Sequence, residues 1–127
     1  VNLAEARRLA AAMTAQFGND KIAGARVDVH LNADAADSSL ANGRHAILIG
    51  PPEVTYTTYH QAEAKWTFTL IAAGAGDLLA AWDALDQLRD TIAEDFDLDN
   101  VRPAEWARPT GGVYGAYIAT ATHEYDL

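Results

Sequence analysis

The chain has no cysteine, only two lysines among its nine basic residues, and no apolar run close to the length of a membrane span. The first absence excludes disulfides and thiolate chemistry. Nine basic side chains face eighteen acidic ones, for a formal charge of −9. That balance speaks against electrostatic capture of nucleic acid or of an anionic membrane, because both depend on clustered Lys and Arg to displace counterions. Without about 18 consecutive apolar residues, no transmembrane helix is expected. The opening Val1-Asn2-Leu3-Ala4-Glu5 lacks the basic start and long apolar stretch of a signal peptide, so synthesis inside the cell is expected. What is present is 127 residues, half of them apolar. This suits one domain, spanning 1–127, that buries about two-thirds of its unfolded surface without a staple or structural metal.

Asn2 is placed to cap a helix, with Glu5 able to reach back to its amide. Leu3, Ala6, Leu9, Ala10, Met13 and Phe17 then recur at helical spacing up to Gly18. The alternation over 26–31 predicts a half-buried strand. Residues 32–44, rich in Ala, Asp, Ser and Asn, carry no period and read as a long loop. Ala46-Ile47-Leu48-Ile49 is a continuous apolar strand that Gly50-Pro51-Pro52 interrupts. An extended pattern resumes over 54–59, residues 60–63 form a turn, and Lys65-Trp66-Thr67-Phe68-Thr69-Leu70-Ile71 is the strongest strand signal. Gly74-Ala75-Gly76 ends it, and Asp77 caps a second helix bearing Leu78, Leu79, Trp82, Leu85, Leu88, Ile92 and Phe96, with Asp83, Asp86, Asp90 and Glu94 opposite. Strands over 101–108 and 113–123 close the chain around Pro109-Thr110-Gly111-Gly112. The fold class is therefore α+β: a mostly antiparallel sheet of about five strands with two helices on one face, in the order α-β-β-β-α-β-β. The other face is dominated by Thr55, Thr57, Thr67, Thr69, Tyr114, Thr120 and Thr122, which tolerate water and equally suit a partner.

No motif carries catalysis. Gly74-Ala75-Gly76 sits where a dinucleotide turn would lie, but Leu79 replaces the third glycine and Asp77 would repel a pyrophosphate. Asp95-Phe96-Asp97-Leu98-Asp99-Asn100 begins like a calcium loop, then fails at Asn100 and Trp106. His30, His45, His60 and His123 show no metal-site spacing, and Ser38-Ser39 has no glycine elbow. Trp66 and Trp82 read as core. Trp106, among Glu105, Arg108 and Pro109, reads either as a lid on the core or as an aromatic anchor for a neighbouring subunit.

The succession of an amphipathic first helix, Ile49-Gly50-Pro51-Pro52, Trp66-Thr67-Phe68-Thr69-Leu70, Ala73-Gly74 leading into the helix from Asp77, and a Gly-Gly hairpin before the strand from Tyr114 resembles the tail terminator proteins of long-tailed phages. The likeness spans nearly the whole chain and rests on element order and these landmarks. It implies a structural virion protein, not an enzyme, made in the host cytoplasm and placed at the tail neck. Such a protein forms a ring, a hexamer, that caps the tail tube, stops its polymerisation and docks a head-side connector. No cofactor is implied, and DNA passes through the ring without specific binding. Trp106, Tyr114 and Tyr56 are then candidate interface residues, and Asp83, Asp86, Asp90, Glu94, Asp34 and Asp37 candidate acids of the channel wall, where negative charge lets DNA slide. The alternatives are another neck or tail-tube subunit, or a free-standing domain with a small-ligand pocket between the sheet and the second helix.

Overall fold

The computed structural model describes residues 2–74 and 78–127. Asn2 Oδ1 accepts hydrogen bonds from the amides of Ala4 (3.0 Å) and Glu5 (3.3 Å), opening α1 (Leu3–Phe17). Glu5 pairs with Arg8 on the next turn. Gly18, at φ +57°, ends the helix in a conformation that a side chain would strain. Ala6, Met13 and Phe17 are the buried stripe.

β1 (Val27–His30) leads into α2 (Ala33–Ala41), which returns the chain to β2 (His45–Ile49), parallel to β1. α2 corrects the expected loop over 32–44. Asn32 Oδ1 caps it by accepting from the amides of Asp34 (2.8 Å) and Ala35 (3.2 Å). Its apolar face is only Ala36 and Leu40, one turn apart, too slight a signal to read as periodicity.

β3 (Glu53–Thr58) and β2 lie end to end along the same edge of β4 (Gln61–Ile71), both antiparallel to it. Gly50 still donates to the Thr67 carbonyl (3.1 Å), and Pro51 and Pro52, having no amide hydrogen, then break the ladder. The turn into β4 is Tyr59-His60, tighter than the predicted 60–63, so β4 begins four residues earlier than its aromatic core suggests.

α3 (Leu78–Ile92) follows β4, then β5 (Leu98–Ala107) and β6 (Val113–Asp126). β6 pairs with all of β4, and β5 lies outside it. The sheet therefore has six strands in the order β1-β2-β4-β6-β5, with β3 also on β4, and is open at both ends. The expected glycine turn at Ala75 and Gly76 and the cap at Asp77 lie outside the described residues.

The α+β class and the antiparallel bias stand, with six strands and three helices among the described residues in place of about five and two. α1 and α3 cover one face over Ile47, Trp66, Phe68, Leu70, Ala119 and Ala121. α2 lies on the opposite face, where Ala36 and Leu40 meet Ala46, Ile71 and Ala116. The threonine face is thus capped at one corner, and Thr67, Thr69 and Thr120 beyond it are half-buried.

Candidate functional site

α3 turns its two sides to different tasks. Ala84, Leu85, Leu88 and Ile92 are buried on the sheet. Trp82 follows Ala81, at the edge of that stripe, by one residue and so lies about 100° further round the helix. It is 56% exposed, which corrects its expected place in the core. Leu79 is exposed as well. Beside Trp82 a cavity of about 300 Å³ opens between α3 and the last two strands, walled by Ala81, Leu85, Pro103, Ala104 and Tyr117. A second, of about 270 Å³, continues it past Asp86, Arg89 and Val101, and the two share Trp82, Pro103 and Tyr117.

Tyr117 fixes the polar end of this groove. Its hydroxyl donates to Asp86 Oδ1 at 2.6 Å, and Arg89 stands 5.9 Å from its ring centre. Burial, reinforced by the hydrogen bond to the Asp86 carboxylate, pushes the phenol up to about 12. Arg89 is itself held by Asp86 (3.2 Å) and Asp90 (3.0 Å), so one guanidinium offsets one of two carboxylate charges.

The predicted channel acids do not form one surface. Asp83 is exposed on α3 and Glu94 in the turn after it, Asp86 and Asp90 are tied to Arg89, and Asp34 stands in water on α2, across the sheet. Asp37 is withdrawn from the group, because its carboxylate is buried on α2 and receives Arg108 Nε at 2.7 Å and Thr110 Oγ1 at 3.0 Å. The hydrogen bond from Arg108 holds this carboxyl below the ordinary carboxylate range.

The interface candidates separate in the same way. Trp106 and Tyr114 are partners across β5 and β6, half-buried over the small core under α2, with the Arg108 guanidinium 5.2 Å from the Tyr114 ring. This geometry supports the lid reading of Trp106. Tyr56 stands free on β3, joined at the adjoining turn by Tyr59, which is 97% exposed.

Arg108 thus latches the β5–β6 turn onto α2. Replacing it with alanine is expected to lower the melting temperature more than Arg8→Ala, whose partner Glu5 lies on an open helix face. Equal losses in thermal unfolding would show that the latch contributes nothing.

One serine meets a histidine and an aspartate. Ser39 Oγ donates to Asp28 Oδ2 at 2.8 Å and lies 2.7 Å from His30 Nε2. With its only proton given to the carboxylate, the hydroxyl accepts from the imidazole, the reverse of a nucleophile yielding its proton to a histidine base. Together with Arg44 on Asp28 (3.3 Å), the trio ties α2 to β1. Asp28 and His30 stand two residues apart on β1, and Ser39 reaches them from α2.

A scan of the chain against protein-family models matches no family, and a search of the curated proteins finds no relative.

Proposed function

We propose that this protein is a structural subunit of the phage tail neck, of the tail-terminator kind, whose copies form a ring, expected to be a hexamer. The ring caps the tail tube, ends its growth and receives the head-side connector, while DNA passes through without specific contacts. The observation that carries this reading is the division of the surface. The core is closed, yet Tyr56, Tyr59, Leu79 and Trp82 stand outside it on two separate elements, and both ends of the sheet have unpaired strands. Large apolar side chains displayed in this way mark association surfaces. The element order differs from the expected α-β-β-β-α-β-β by α2 and by a fourth strand before α3. In support of a DNA-passing role, the chain carries a net charge of −9, and such an acidic protein repels phosphates.

The test is tube assembly. Cognate tail-tube protein polymerised with this protein is expected to give tubes of limited length bearing a ring at one end, visible by negative-stain electron microscopy. Tubes of unchanged length and uncapped ends would overturn the proposal. The groove between α3 and the sheet favours a second reading, a small-ligand domain, since about 300 Å³ lies at the lower limit of ligand pockets. A thermal shift of several degrees with a small apolar ligand, together with no effect on tubes, would favour it.

A further inference from the structure

The net charge of −9 is not spread over the chain. Residues 1–50 hold five basic side chains, Arg7, Arg8, Lys21, Arg26 and Arg44, and five acidic ones, Glu5, Asp20, Asp28, Asp34 and Asp37. The remaining four basic and thirteen acidic residues all fall in 51–127. The fold makes this boundary spatial. The first fifty residues build α1, β1, α2 and β2, one end of the sheet; β4, with β3 on its edge, forms the middle, and α3, β6 and β5 form the other end. At the first end Arg7, Lys21 and Arg26 are exposed and enter no ion pair among the described residues. At the other, Asp83, Glu94 and Glu105 are exposed and equally unpaired among the described residues.

The acidic end also carries the groove under Trp82. Gly115 lies at its floor, in the interior of β6, with no positive φ to require a glycine and nothing within 4 Å of the place a Cβ would take. A glycine there weakens the strand and leaves room for an incoming group. Pro103 sits on the outermost strand and removes an amide from its open edge, which disfavours continuation of the sheet by another strand. A partner at this end is therefore held by side chains in the groove.

We propose that the α3–β5 groove of one copy binds the α1–β1 end of a second copy, head to tail, with Arg7, Lys21 and Arg26 facing Asp83, Glu94 and Glu105. This rests on the ring reading and adds the surfaces that meet. A second copy is the occupant that the charges select. The far end of the same chain carries no net charge and exposes Arg7, Lys21 and Arg26, whereas two acidic ends set against each other would repel. Two unlike surfaces give a heterologous contact, which closes into a ring when the rotation between copies allows.

The test compares wild type with Gly115→Leu, which fills the groove, and with Arg7→Glu/Lys21→Glu/Arg26→Glu, by sedimentation velocity and light scattering at low and high salt. Wild type is expected to associate, and less so at high salt. Each variant is expected to associate at least about tenfold more weakly. An equimolar mixture of the two should form pairs and stop there, since each keeps one good surface. Trp82→Asp, at an exposed position, serves as a second groove variant should Gly115→Leu disturb folding. Variants that assemble like wild type would overturn the inference while leaving the ring in place. A mixture that forms no pairs would overturn the head-to-tail arrangement. A wild type that stays monomeric at every salt and concentration would overturn this inference, and tube capping then decides the ring reading separately.

Discussion

Trp66→Ala is expected to lower the free energy of unfolding by about 3–5 kcal/mol, a large part of the roughly 5–15 kcal/mol that holds such a domain folded. Trp66 is fully buried in the middle of β4, beneath the layer formed by α1 and α3. Its strand neighbours on the same face include Ala64 and, across on β6, Ala119 and Ala121. Alanines have no side-chain length with which to fill a void, so the cavity stays open and the loss falls toward the upper end of the range. The indole also donates from Nε1 to the Tyr125 hydroxyl at 3.1 Å. Trp66→Phe keeps most of the filling and loses that bond, costing about 1 kcal/mol from the bond in addition to a small volume term. Urea unfolding followed by circular dichroism separates the two, and equal losses for Ala and Phe would show that the indole fills no essential space.

The second large effect concerns His45 and acid. The ring is 2% exposed and spans two elements of the backbone. Nδ1 accepts from the Ala73 amide at 2.9 Å, so Nε2 carries the proton and donates to the Ile22 carbonyl at 2.6 Å. This arrangement needs the neutral imidazole. Burial accordingly pulls the group below its ordinary 6.5, against a weaker opposing effect of the Ile22 carbonyl. With the folded value below the unfolded one, the unfolded chain binds more protons between the two. The stability contributed by neutral His45 is therefore complete above about pH 6.5 and declines as pH falls through and below that value. His45→Phe should abolish this part of the pH dependence. It should also cost about 1–3 kcal/mol for each backbone partner left unpaired in the interior. Denaturation curves at pH 5, 6, 7 and 8 for both proteins check the sign. A slope that persists unchanged in the variant would place the dependence elsewhere.

Much of the fold was legible wherever a period was strong or a stop residue unambiguous. Asn2 and Gly18 bound α1, Gly50-Pro51-Pro52 divides β2 from β3, and Trp66, Phe68 and Leu70 share one face of β4. α2 escaped detection because its buried face is an alanine and a leucine, and because its strongest anchor, Asp37 to Arg108, joins residues 71 positions apart. Trp82 was misplaced because apolar spacing along a helix does not tell which flank meets the sheet. Helical periodicity assigns a stripe, whereas the crossing of α3 over the strands decides where the stripe ends.

The candidate site divides along the same line. Composition and order by themselves determined the α+β class, the antiparallel bias, the lack of thiol chemistry and an acidic surface, since each follows from residue type and local period. The three-dimensional packing alone decided that Asp37 is an internal ion-pair partner and no surface acid, that Trp106 covers a small second core while Trp82 faces water, and that the charge-neutral first fifty residues form the β1–β2 end of the sheet. These are properties of which distant segments become neighbours. They depend on strand order and helix placement, set by the burial of the whole core at once, and no window of sequence contains that information.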